Sequence, residues 1–153
     1  MNDELRNDNV VIGLTGDVMI GRLVNECLRE APPEYIWGDV LPLLLKNDVN
    51  IINLEAALTT SVREVPKVFN FKSDPEHVES LKVARVDVAN LANNHVLDYS
   101  EEGLLETLDT LDAAAILSAQ QEAVQQQPDY QKDEGQPLTE HRGAARDHAR
   151  SFP

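Results

Sequence analysis

Three short apolar runs, each ending in side chains that carry chemistry, organise the first two-thirds of the chain. Residues 10–14 (Val-Val-Ile-Gly-Leu) lead into Thr15-Gly16-Asp17, and residues 49–52 (Val-Asn-Ile-Ile) lead into Asn53-Leu54-Glu55. Residues 86–91 lead into Ala92-Asn93-Asn94-His95, with Asp98 three positions further on. Runs of this length bounded by turn residues read as strands, and continuous apolarity suits a parallel sheet covered on both faces. Residues 10–14 are therefore expected to be a buried strand.

Helical spacing fills the intervals. Residues 23–29 predict a helix stopped by Pro32-Pro33, because proline has no amide hydrogen and restricts the residue before it. Val40, Leu41, Leu44 and Leu45 predict a helix over 37–46, with Pro42 in its first turn and Lys46 near the carbonyl end. Residues 68–72 alternate and read as a strand or half of a hairpin. Asp74-Pro75 is a helix start, an N-cap acid followed by proline, for a helix running to about Val83. Ser100 predicts the next N-cap, with Glu101 and Glu102 in the first turn and Leu104, Leu108 and Leu111 as the apolar stripe. The resulting βα alternation predicts an open α/β sheet. In such sheets ligands sit beyond the carboxyl ends of the strands, so Asp17, Glu55 and the Asn94-His95 pair are expected to converge there.

Past Ala115 the character changes. Residues 116–153 contain seven glutamines, five of them between Gln120 and Gln127, and few large apolar side chains. Such a segment buries too little surface to offset its chain entropy. The expected organisation is a polar leader over 1–9, one structured domain over 10–115 and a glutamine-rich disordered tail over 116–153. With 153 residues, 42% of them apolar, the chain is long enough for one ordinary core.

Charge narrows the function classes. There are 27 acidic against 13 basic residues, a formal charge of -14, and only 4 basic and 6 acidic residues lie in the tail. The excess acid belongs to the structured part. A phosphate-rich surface would repel it, which argues against nucleic acid and anionic membrane as partners and favours a cationic ligand. Cys27 is the lone cysteine, so no intrachain disulfide is possible. The first ten residues show no signal-peptide core, and no run approaches the roughly 18 apolar residues of a membrane span, so a cytoplasmic location is expected. The sequence gives no sign of oligomeric state.

Carboxylates gathered at one sheet edge repel one another severely in a low dielectric unless a cation lies between them. A divalent metal answers that need. Asp17 and Glu55 offer carboxylate oxygens, Asn94 a carbonyl oxygen and His95 a ring nitrogen, a mixed set suited to Mn, Fe or Zn better than to Ca. Two such ions roughly 3.5–4 Å apart would clamp a phosphate and activate water. His95 and Asp98 are the candidate catalytic pair, with Asp98 either orienting His95 or opening a turn before Ser100. Plainer readings stand beside these. Gly16-Asp17 is equally a turn, Asn53 and Glu55 are equally caps, and His95 is equally a hydrogen-bonded core residue. Lys72 reads as a solvated strand-end lysine rather than an anion contact, and His77 as a surface residue; His141 and His148 have no site role. A Rossmann-like nucleotide site is disfavoured, since no Gly-x-Gly-x-x-Gly follows the first strand.

Four motifs in order carry a resemblance: Gly16-Asp17-Val18-Met19, then residues 53–59 (Asn-Leu-Glu-Ala-Ala-Leu-Thr), then Phe69-Asn70-Phe71-Lys72, then residues 90–95 (Asn-Leu-Ala-Asn-Asn-His) with Asp98. Together, over about residues 10–115, the sequence resembles the bacterial capsule-synthesis CapA family, also known as poly-gamma-glutamate synthesis proteins. The resemblance implies the N-terminal half of a calcineurin-like metallophosphoesterase α/β/β/α sandwich. It implies metal ligands at Asp17, Glu55, Asn94 and His95, and a small phosphorylated or polyanionic substrate. Members are longer and carry further histidine motifs, including a His-Trp-Gly type, that nothing here matches; a truncated form is therefore expected. The alternative expectation is a noncatalytic remnant or binding module that keeps only the half-sheet.

Overall fold

The computed structural model describes residues 9–119. Its order follows from β2 (Val49–Leu54), whose alternate side chains Asn50, Ile52 and Leu54 are buried while Val49, Ile51 and Asn53 are half-buried. That period of two fixes an inner and an outer face. β1 (Ile12–Val18) pairs with one edge of β2, and β5 (Val88–Asn90) with the other. β6 (Leu117–Ala119) closes the order β1-β2-β5-β6, and all three pairings are parallel. A small parallel ladder joins β3 (Ala57–Leu58) to β4 (Lys72–Ser73). The result is a mixed α/β domain with a parallel sheet, as the alternating pattern predicts, and no helix of the described residues is long and apolar enough to cross a membrane.

The helices pack on the inner face. α1 (Leu23–Leu28) follows β1, and a 3-10 segment (Tyr35–Val40) runs into α2 (Leu41–Leu44). The helix expected over 37–46 is broken at Gly38, whose φ of 48° leaves the helical region; Pro42 lies in the first turn of α2. The amide nitrogen of buried Asn50 donates to the carbonyls of Leu44 and Arg85, both at 3.0 Å, which ties the ends of α2 and α3 (Val78–Val83) to the sheet. Leu44 ends α2 and Arg85 follows the C-cap of α3, where carbonyls draw on donors from outside the helix. Ile20, Ile52, Leu54, Leu58, Leu81, Leu91 and Leu111 form the most deeply buried apolar set.

Several expectations need correction. Val10, Val11, Ile12 and Leu14 are all exposed, Leu14 at 74%, because β1 is an edge strand and no layer of the described residues covers the outer face. The alternation over 68–72 yields only β4, and it pairs in parallel with β3, so it is not half of a hairpin. Asp74 stands at the N-cap with Pro75 after it, as expected, but its side chain makes no capping hydrogen bond. Its carboxylate pairs with Arg29 at 2.6 and 3.0 Å, and that guanidinium holds it below the usual carboxylate range against the opposing effect of burial. His77, expected at the surface, is buried; its Nδ1 lies 2.8 Å from Asn25 Oδ1, which also accepts from Ser73 Oγ and the Asp74 amide. Ser100 is the first residue of α4 (Ser100–Ala113), preceded by Tyr99 at the N-cap, and its hydroxyl donates to the Tyr99 carbonyl. The inward face of α4 is Gly103, Thr107 and Leu111, one turn apart, with Leu104 and Leu108 flanking it.

The expected break after Ala115 also moves. Ile116 is buried and β6 extends the sheet to Ala119; the remainder of the expected tail and most of the expected leader lie outside the described residues. The reason is a helix ending without its usual signal. The Ala115 amide donates to the Asp112 carbonyl and the Ile116 amide to that of Leu111, with Ala115 left-handed at φ 58°. This is the Schellman arrangement, in which glycine is the usual occupant of the left-handed position. Replacing Ala115 by glycine removes the Cβ strain at a site whose conformation glycine adopts freely. Ala115→Gly is expected to raise unfolding free energy by about 0.5–1 kcal/mol, read from urea midpoints, and a loss of stability would contradict this account of the turn.

Candidate functional site

The carboxyl ends of the parallel strands carry a connected row of polar side chains. β1 and β2 slip register by one residue between Leu14 and Asp17, a bulge that sets Asp17 directly opposite Asn53. Asn53 lies opposite Asn90 on β5. Side chains in register share a face, and hydrogen bonds follow the row. Asn53 donates to Asp17 Oδ1 at 2.6 Å, and its own amide oxygen accepts from Asn90 at 2.8 Å and from Asn93 at 3.2 Å. Asn93 also donates to the Leu54 carbonyl at 2.9 Å, and its amide oxygen accepts the His95 backbone N–H at 2.9 Å. Asn53 is thus a bridge between the first and third strand ends rather than a cap.

The turn after β5 delivers His95 onto this edge. His95 is buried, and its ring stacks on Phe71 with centroids 4.2 Å apart. Nδ1 lies 2.6 Å from Asp98 Oδ2, so the ring donates Nδ1–H to that carboxylate and turns Nε2 away from it. Nε2 lies 3.6 Å from Glu55 Oε1. Both atoms face the strand-end edge, and both are of the kind that ligate a divalent cation.

Asp98 is wholly buried. Oδ2 accepts from His95 and from the Phe71 amide at 2.7 Å, and Oδ1 accepts from Lys67 Nζ at 2.5 Å. These contacts are all internal, so Asp98, expected as half of a catalytic pair, faces His95 and not the open strand-end edge. Lys67 donates as well to the Asn94 carbonyl at 2.6 Å. Sequence reasoning singled out Lys72 and passed over Lys67. Lys72 turns out to be neither solvated nor an anion contact: it donates to the Ser61 carbonyl at 2.7 Å and lies 4.9 Å over the Tyr99 ring.

Of the residues expected at one point, the structure therefore brings Glu55 and His95 face to face, bonds Asp17 to Asn53, and leaves Asn94 exposed with its carbonyl held by Lys67. Among the described residues, no three His, Cys, Asp or Glu side chains are gathered closely enough to form a metal cage by themselves. The Glu55–His95 separation does fit a divalent ion. Bond lengths of about 2.0–2.2 Å place two ligand atoms of one ion roughly 3.0–3.6 Å apart. The hydrogen bond from His95 Nδ1 to a carboxylate is also the usual support of a metal-binding imidazole.

A parallel α/β sheet with this polar edge is consistent with part of a calcineurin-like fold. The family model described as "Bacterial capsule synthesis protein PGA_cap" matches residues 11–136, and the chain belongs to that family. It is 29% identical over 106 residues to a capsule biosynthesis protein CapA of Bacillus anthracis, covering 67% of this chain and 26% of that protein. It is 29% identical over 104 residues to a PGA biosynthesis protein CapA of Bacillus subtilis, covering 67% and 27%. A probable polyglutamine synthesis accessory protein of Mycobacterium tuberculosis is 30% identical over 145 residues, covering 72% and 38%. The matched region spans about a quarter to two-fifths of the length of these relatives.

Tyr99 closes the floor behind Asp98. Its hydroxyl donates to Glu64 Oε1 at 3.0 Å. Burial, then that bond and the charges of Glu64 and Asp98, push its phenol up to about 12 from 10.0. The folded state thus favours the neutral phenol, so this contribution is complete below pH 10 and is lost as pH rises through 12. A Tyr99→Phe difference titration at 295 nm is expected to show the Tyr99 transition near pH 12. A midpoint at the free-tyrosine value would show that the phenol is neither buried nor bonded to Glu64 in solution.

Proposed function

We propose that this chain carries a divalent-cation site of the metallophosphoesterase kind, working in capsule or poly-gamma-glutamate production as the names of its relatives indicate. The observation that carries the reading is the facing of His95 Nε2 and Glu55 Oε1 across 3.6 Å, with His95 fixed from behind by a buried carboxylate. In this reading Glu55 and His95 are ligands of Mn, Fe or Zn. Asp17 is the further carboxylate at the same edge, and Asn94 the neighbouring amide; a second ion remains part of the proposal.

When bound, such a cation supplies Lewis-acid polarisation of a phosphoester. The residues of this chain do the rest. The Glu55 and Asp17 carboxylates set the negative field that favours a cation at a sheet edge already rich in acid. Asp98 holds the His95 ring so that Nε2, and not Nδ1, faces the edge, where it binds a cation or moves a proton to a leaving oxygen. Phe71 covers one face of that ring and limits its rotation.

The test is manganese-stimulated hydrolysis of bis(p-nitrophenyl) phosphate, with manganese uptake followed by calorimetry in parallel. Uptake and hydrolysis are expected in the unmodified chain, with the rate reduced by about 10²–10⁴ in Asp17→Ala and His95→Ala. Uptake without hydrolysis would reduce the reading to a binding module. Absence of uptake at millimolar manganese would remove it.

A further inference from the structure

We propose that Lys67 is the positioning residue of this site, a clamp that fixes the turn from Asn94 to Asp98 so that His95 presents Nε2 to Glu55. What Nε2 then binds rests on the metal reading above; the clamp itself can be tested on the metal-free chain. Lys67 comes from the irregular segment between β3 and β4, far in sequence from the residues it holds. Its ammonium donates to two acceptors on one turn, the Asn94 carbonyl at 2.6 Å and Asp98 Oδ1 at 2.5 Å. Nζ also lies 3.5 Å from His95 Nδ1, but that nitrogen gives its hydrogen to Asp98 and has no lone pair to offer.

The arrangement divides the two oxygens of a buried carboxylate. Lys67 takes Oδ1, which leaves Oδ2 to the Phe71 amide and to Nδ1–H of His95. One tautomer and one ring orientation satisfy that pattern. A compact ammonium with three rotatable donors reaches two acceptors in different directions, which the planar fork of arginine does less readily. It also balances the charge of a carboxylate that has no water to do so. Without Lys67, Oδ1 and the Asn94 carbonyl lose their donor, and the carboxylate and the ring it orients are held from the Oδ2 side alone.

Lys67→Met keeps the apolar stem and removes the head. Loss of stability alone would not separate positioning from packing, so the deciding readout is the ring of His95. In ¹⁵N-correlated NMR, assigned by comparison with His95→Gln, the unmodified metal-free chain is expected to show one tautomer, protonated at Nδ1, with ring protons shifted upfield by Phe71. Lys67→Met is expected to show a mixture of tautomers and a reduced ring-current shift, and manganese affinity lower by about 10–100-fold. Ile52→Val, a core change remote from the turn, is expected to leave both unchanged. Should Lys67→Met fail to fold, Lys67→Gln, neutral but still a donor, carries the same expectation at smaller amplitude. A folded Lys67 variant that keeps the single tautomer overturns the proposal. If the unmodified chain takes up no manganese, the metal reading falls and the tautomer result alone decides for or against Lys67.

Discussion

A single wholly buried carboxylate governs the geometry of the strand-end site. Asp98 lies out of reach of water and still carries three internal donors, a lysine head, a backbone amide and an imidazole N–H. Burying an isolated charge is expensive, so this group stays in place only because all three are present together. The donors come from two parts of the chain: Lys67 and Phe71 from the segment entering β4, His95 from the turn after β5. The carboxylate therefore welds two loops that otherwise share little regular structure. What faces outward is set by what is held within. With Nδ1 committed to Asp98, the His95 ring turns Nε2 outward.

The parallel sheet supplies the other half of the arrangement. Register carries Asp17, Asn53 and Asn90 into one row, and the bulge in β1 is what brings Asp17 into it. Asn53 then ties an exposed acid to the same asparagine, Asn93, that accepts the His95 amide. Through these bonds the ends of β1 and β5 are joined in one polar network. The outer face of the sheet beside that row is apolar and open among the described residues, with Leu14, Ile51, Val88 and Leu117 in register across all four strands. The matched region is a minor part of each relative's length.

Much of this was legible in the sequence because strand periodicity and strand-end chemistry are local signals. The positions of β1, β2 and the shorter β5, the order of βα units and the nearness of His95 to Asp98 all follow from residues close together in the chain. The failures have equally physical causes. Burial of β1 depends on what lies over the sheet, which its own apolar run cannot report. The end of α4 was hidden because alanine fills a left-handed position that glycine normally marks. His77 faces inward because Asn25, more than 50 residues away, offers it an acceptor. Lys67 escaped notice for the same reason. Nothing in its neighbourhood of valines and aromatics foretells that its head will meet a carboxylate 31 residues on.

The central claim is that Glu55 and His95 meet around a cation. It is tested most directly by a crystal soaked in manganese and measured for anomalous scattering. The account predicts a peak within bonding distance, about 2.0–2.3 Å, of both Glu55 Oε1 and His95 Nε2. A well-ordered site with no peak between those two atoms, or a peak held only by other residues, would contradict it.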